Sequence, residues 1–116
     1  MSFATLVLAD GRRVPLEIAD SRASRRRGLL GRESALGGAL LLRPCRSVHT
    51  LGMRFAIDVA HLSGVNEVLC VRTMKTSRLG RVVWRARAVL EADAGSFVAW
   101  GLAVGDHVVI EPEENR

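Results

Sequence analysis

Val14, Leu16 and Ile18 alternate with Arg13, Pro15 and Glu17, the two-residue period of a strand with one wet face. An apolar stretch, Phe3 to Ala9, precedes it, and Asp10-Gly11 between the two is a strong turn signal. The chain is therefore expected to open on a β-hairpin. Pro15 donates no backbone hydrogen bond and favours an edge position for the returning strand. Asp20 or Ser21 then caps a helix over Arg22 to Leu30, which Gly28 and Gly31 bring to an end. Ala39 to Leu42 reads as a short apolar strand closed by Pro44. Cys45 to Arg54 has no clean period and is expected to be irregular or a single helical turn.

Phe55 to Leu62 is apolar enough for a central strand, Gly64 turns it, and Glu67 to Thr73 returns as its partner. Lys75 to Gly80 is a polar loop. From Val83 to Leu90, the residues Trp84, Ala86, Ala88 and Leu90 oppose Val83, Arg85, Arg87 and Val89, which predicts another strand. Asp93 is placed to cap a short helix through Phe97 and Trp100 that stops at Gly101. Gly105-Asp106 turns into a last strand, His107 to Ile110, and the acidic tail from Glu111 to Arg116 is expected to fray. The sum is an α+β, β-rich domain of about six or seven short strands, with one helix early and one late.

The 116 residues fit one domain, and no internal repeat or linker divides them. Apolar residues make up 48% and charged residues 25%, which excludes wholesale disorder. No apolar run is long enough for a membrane span, and the start lacks the basic head and apolar stretch of an export signal. The expected compartment is cytoplasmic, where Cys45 and Cys70 stay reduced. The net charge of +5 is unevenly spread: residues 1–54 carry 10 basic and 4 acidic groups, residues 55–116 carry 7 and 8. Arg22, Arg25, Arg26, Arg27 and Arg32 account for much of the excess. Such a cluster attracts polyanions, yet Phe3, Phe55, Phe97, Trp84 and Trp100 do not interleave with it as stacking platforms would. Nucleic acid is a minor expectation.

No phosphate loop, dinucleotide fingerprint, nucleophile elbow, Cys-x-x-Cys or His-Glu-x-x-His occurs, so no cofactor is expected. Cys45, His49, His61 and Cys70 are the right ligand types for zinc, but their spacing is poor, and His61 fits a surface strand position equally well. No metal is expected. Cys45 and His49 lie four apart, so one helical turn makes them neighbours, with Thr50 as another hydroxyl nucleophile. Asp58 stands in the apolar run Phe55-Ala56-Ile57-Asp58-Val59-Ala60, where an unpaired carboxylate is costly. It therefore needs Arg54, His49, Thr50 or backbone amides as partners. Glu91, after Val89-Leu90, raises the same question with less force.

The run Val48-His49-Thr50-Leu51-Gly52-Met53-Arg54-Phe55-Ala56-Ile57-Asp58-Val59 resembles the signature of the domain of unknown function family 192, also called uncharacterised protein family 0127. Arg27-Gly28-Leu29-Leu30-Gly31-Arg32, Val89-Leu90-Glu91 with Gly95, and Gly101-Leu102 with Gly105-Asp106 resemble its other blocks, in order, over roughly residues 20–110. Leu30, Ala56 and His61 depart from the family's usual Met, Pro and bulky apolar residue. The resemblance implies a compact fold with a curved, barrel-like antiparallel sheet and two short helices. It implies no activity.

The function expected from these readings is a non-catalytic binding or assembly module. Its site is His49, Thr50, Met53 and Asp58, with Glu91 from a neighbouring strand end, and its partner a small polar ligand or a peptide. The alternative is a small hydrolase or transferase with His49 as general base and Cys45 or Thr50 as nucleophile. A third class, a polyanion binder, would use the Arg22–Arg32 cluster.

Overall fold

The computed structural model describes residues 2–113. Its strands are β1 (Ser2–Val7), β2 (Arg13–Ala19), β3 (Ala39–Leu42), β4 (Ile57–Leu62), β5 (Val68–Met74), β6 (Ala88–Asp93) and β7 (Val109–Pro112). Helix α1 (Arg22–Arg27) follows β2, and α2 (Ser96–Ala99) follows β6. The strands form one sheet in the order β5-β4-β6-β3-β2-β1-β7. Its neighbours run antiparallel except β2 and β3, which are parallel because the α1 connection carries the chain back to the same end. Residues 105–108 hydrogen-bond to Asn66 and to Val68 at the start of β5, so the sheet curls towards its own far edge without closing strand to strand.

The opening hairpin forms as expected, with Leu6 opposite Val14. Leu8 and Arg12 also pair, so the loop is the three residues Ala9, Asp10 and Gly11, and Gly11 takes the left-handed conformation at φ +90°. β2 is not an edge strand. Pro15 is tolerated because pairing with β3 begins one residue later, at Leu16 opposite Ala39. Ser21 caps α1: its hydroxyl accepts from the Ser24 N–H, while the Ser24 hydroxyl accepts from the Ser21 N–H. The helix ends at Arg27, short of Leu30, because Gly28 adopts φ +51°, ψ −131°, a conformation side chains disfavour.

Three further expectations are corrected. Val83 to Arg87 is not strand: the segment turns at Val83–Ala86, and its backbone bonds to Arg46, Cys45 and Leu62 instead of to a ladder. Trp84 is accordingly 77% exposed. The strand starts at Ala88, which moves Glu91 from a strand end to its interior. Asp93 does not cap α2; it is the last residue of β6 and accepts from the Ala35 N–H at 2.8 Å. The tail also differs, since Glu111 sits in β7 opposite Thr5; residues 114–116 lie outside the described residues.

Alternation sorts the core into two layers. Leu6, Leu16, Leu41, Ala60, Leu90 and Phe97 belong to the inner face of the curl. Leu40, Leu42, Ile57, Val59 and Val89 point to the opposite face, where Leu29, Val48 and Met53 cover them. Both faces of β3, β4 and β6 are thus buried, which explains their near-continuous apolar sequences. No helix among the described residues is long and apolar enough to cross a membrane.

Candidate functional site

On the outer face the α1 end and the segment after β3 leave a cleft of about 340 Å³. One wall is Arg25 to Leu30; the other runs from Pro44 through His49 to Met53; Leu42 and Glu91 form the floor. Glu91 pairs between Leu40 of β3 and Val59 of β4, so its side chain leaves the sheet in the middle of the apolar outer layer. The residue is only 4% exposed, and its Oε1 has no hydrogen-bond partner among the described residues. Burial pushes its pKa up to about 7; the Leu29 N–H and the Arg32 charge pull the other way and lose. Glu91 is therefore close to half protonated near neutrality.

Gly28 makes this arrangement possible. A Cβ built there would stand 3.0 Å from Glu91 Oε1, so any larger residue crowds the carboxyl as well as straining its own backbone. Three cations follow each other along the cleft wall. Arg25 donates to the Asp20 carbonyl at 2.7 Å, and none of Arg25, Arg26 or Arg27 forms an ion pair with a carboxylate among the described residues. Arg32 makes a two-pronged contact with Glu17 at 2.8 and 3.2 Å, which raises the guanidinium pKa, and its charge also acts on Glu91.

Of the residues expected in the site, Cys45, His49, Met53 and Glu91 meet in this cleft, and Thr50 and Asp58 do not. Thr50 is completely buried behind the wall. Its hydroxyl donates to the Lys75 carbonyl at 2.6 Å and accepts from the Arg78 N–H at 2.8 Å, stapling the 75–80 loop to the segment that carries His49. Asp58 points to the inner face, since it stands opposite Ala92 and not Glu91. It finds backbone and hydroxyl donors there: Thr73 Oγ1 at 2.7 Å and the Phe97 N–H at 3.0 Å. The carboxylate thus ties α2 and β5 to β4, and neither Arg54 nor His49 is its partner.

The geometry of a thiol or hydroxyl nucleophile is unfavourable. Cys45 donates its S–H to the Ser47 carbonyl at 3.1 Å, and burial raises its pKa, so it stays a thiol. His49 Nδ1 accepts from the Leu51 N–H at 3.2 Å, which in the neutral ring places the proton on Nε2 and leaves no lone pair facing outward. Thr50 is sealed from solvent. His61, expected at the surface, is 2% exposed on the outer face, opposite Cys70 and Val89. Burial lowers its pKa, and its ring nitrogens lie near the Arg46 and Arg81 carbonyls without a well-formed hydrogen bond. Among the described residues, no three of His, Cys, Asp and Glu converge as metal ligands.

Two features of the cleft escape the sequence reading. Gly28 reads as a helix breaker, and it also lies close against Glu91. Arg25 to Arg27 read as a solvated or polyanion-binding face, whereas they wall the cleft. The available signal was the Arg27-Gly28-Leu29 block, one of the stretches that carried the family resemblance.

The sequence model of the domain of unknown function family 192, described as an uncharacterized ACR, matches residues 5–110. The chain belongs to that family. The match extends beyond the four blocks into β1 and β2, so the family's common unit includes the opening hairpin. A Novosphingobium aromaticivorans protein of unknown function superposes with a TM-score of 0.77 at 17% identity, over 92% of this chain and 83% of that one. A Sinorhizobium meliloti protein, described as a candidate transcription regulator, superposes with a TM-score of 0.75 at 18% identity, over 94% and 92%. At these identities the likeness establishes the shared fold alone. Among curated proteins, none matches the chain.

Proposed function

We propose that this family 192 protein is a non-catalytic binding module whose ligand, a small polar molecule or a peptide segment, occupies the cleft floored by Glu91. Cys45, His49 and Met53 line it, while Thr50 and Asp58 hold the surrounding loops in place. The reading rests on the partnerless Oε1 of Glu91, buried and adjoining a cleft of small-molecule size. A buried polar atom without a partner costs about 1–3 kcal/mol. A ligand that satisfies it recovers that cost. The thiol and imidazole beside it are committed to backbone partners and serve better as walls than as reagents.

The test is a titration of the 15N-labelled protein with a panel of small acids, amines, amides and tetrapeptides. Amide shifts concentrated at Gly28, Leu29, Cys45, Met53 and Glu91 are expected for at least one class. If no class binds, or every binder perturbs another surface, the reading fails.

A further inference from the structure

We propose that the cleft recognises a carboxylate on an aliphatic stem, with Arg26 and Arg27 as its counter-charges and Glu91 as a hydrogen-bond donor to one of its oxygens. The inference rests on the binding-module reading and narrows its ligand. Three observations lead to it. The wall from α1 presents Arg25, Arg26 and Arg27 with no carboxylate paired to them among the described residues, so the cleft favours an anion. The floor offers one buried carboxyl oxygen without a hydrogen-bond partner among the described residues, lying against the bare Cα of Gly28. Leu30, Leu42, Val48, Leu51 and Met53 supply an apolar part of the lining, beside Ser47 and His49, and that part suits an alkyl chain.

A carboxyl and a carboxylate share a proton well, whereas two carboxylates at that distance repel. Glu91 must therefore be protonated when the ligand is bound. The other ionisable groups around it are Arg25, Arg26 and Arg27 from α1, Arg32 with its Glu17 partner, Cys45 and His49 from the opposite wall, Asp93 two residues along β6, and His61 on β4. The burial that raises the Glu91 pKa to about 7 makes the protonated form available at neutral pH. Binding then takes up one proton above that value, and affinity drops by about tenfold from pH 6 to pH 8.

The experiment titrates the intact protein with N-acetyl-leucine, N-acetyl-leucinamide, isovalerate and inorganic phosphate at pH 6, 7 and 8, following amide shifts. N-acetyl-leucine or isovalerate should bind at the cleft at least about tenfold more tightly than the uncharged amide, and more weakly as the pH rises. Preference for N-acetyl-leucine points to the carboxyl terminus of a peptide, and equal binding of isovalerate to a free acid. Glu91→Gln keeps a donor but cannot titrate, so it should bind with a flat pH profile; Arg26→Glu with Arg27→Glu should weaken the acids and spare the amide. Tighter binding of the amide or of phosphate, affinity that rises with pH, or an unchanged slope in Glu91→Gln overturns the carboxylate proposal. Amide binding at the cleft leaves the module reading standing, whereas binding of none of these probes and none of the broader panel removes both.

Discussion

Asp58 and Glu91 sit one rung apart on paired strands and point to opposite faces of the sheet. Val59 is the residue opposite Glu91, and Asp58 is opposite Ala92. One carboxylate is satisfied by Thr73 and Phe97 on the inner face; the other is held on the outer face with an oxygen unpaired. The two buried acids of the sheet therefore divide the work. Asp58 holds the fold together, and Glu91 belongs to the cleft.

Stability should fall as Glu91 ionises. Its pKa rises from an ordinary 4.5 to about 7 on folding, so the native state binds this proton more tightly than the unfolded state. The sign follows: the Glu91 contribution is greatest below pH 4.5, declines between 4.5 and 7, and is level above. The full span is about 3 kcal/mol. In Glu91→Gln that contribution is absent. Urea denaturation of both proteins at pH 5 and pH 8 should show the variant gaining on the wild type as pH rises; an unchanged difference would mean the carboxyl is ionised throughout.

Gly28→Ala should be costlier than Gly11→Ala. Both glycines have positive φ, but a Cβ at Gly11 meets nothing within 4 Å, while one at Gly28 meets the Glu91 carboxyl at 3.0 Å. The expected losses are about 1 kcal/mol at Gly11 and about 2–3 kcal/mol at Gly28. Thermal unfolding of the two variants compares them directly. Equal losses would show that the carboxyl moves aside freely.

Removing the Asp58 carboxylate should destabilise without touching the cleft. Asp58→Ala strands the buried Phe97 N–H, at about 2–3 kcal/mol, while the exposed Thr73 hydroxyl can turn to water; Thr73→Val removes one bond, at about 1 kcal/mol. Amide shifts of the folded Asp58→Ala variant should change around α2 and β5 and stay constant at Gly28 and Cys45. Shifts at the cleft would contradict the separation of the two faces.

Cys45 should label slowly. Burial and the Ser47 contact keep it protonated, so its reaction with iodoacetamide at pH 8 should run at least about tenfold below that of a free cysteine peptide. Peptide mass spectrometry gives the rate at this residue separately from Cys70. A rate above the peptide's would restore the thiol as a nucleophile and the hydrolase or transferase alternative with it.

The amino-acid sequence by itself determined the hairpin at Asp10-Gly11, a helix cap at Asp20 or Ser21, the apolar runs of β3 and β4 and the α+β character of the chain. These depend on local conformational preference and on a period of two, which neighbouring residues alone express. It also marked Asp58 as needing partners, because a charge inside an apolar run is costly wherever it folds. The strand over 83–87 failed for a complementary reason: alternation there is real, but the backbone groups bond to the 43–47 segment, a competition among distant residues.

Which carboxylate faces the cleft was decided only by tertiary structure. A one-residue change in the β4–β6 register would exchange Asp58 with its neighbours between faces, and register is fixed by packing across the sheet. The elevated pKa of Glu91, the role of Gly28 and the burial of His61 follow from the same fact. Each depends on what covers the outer face of β4 and β6, and those covering residues are brought there by the path of the chain, which no local pattern encodes.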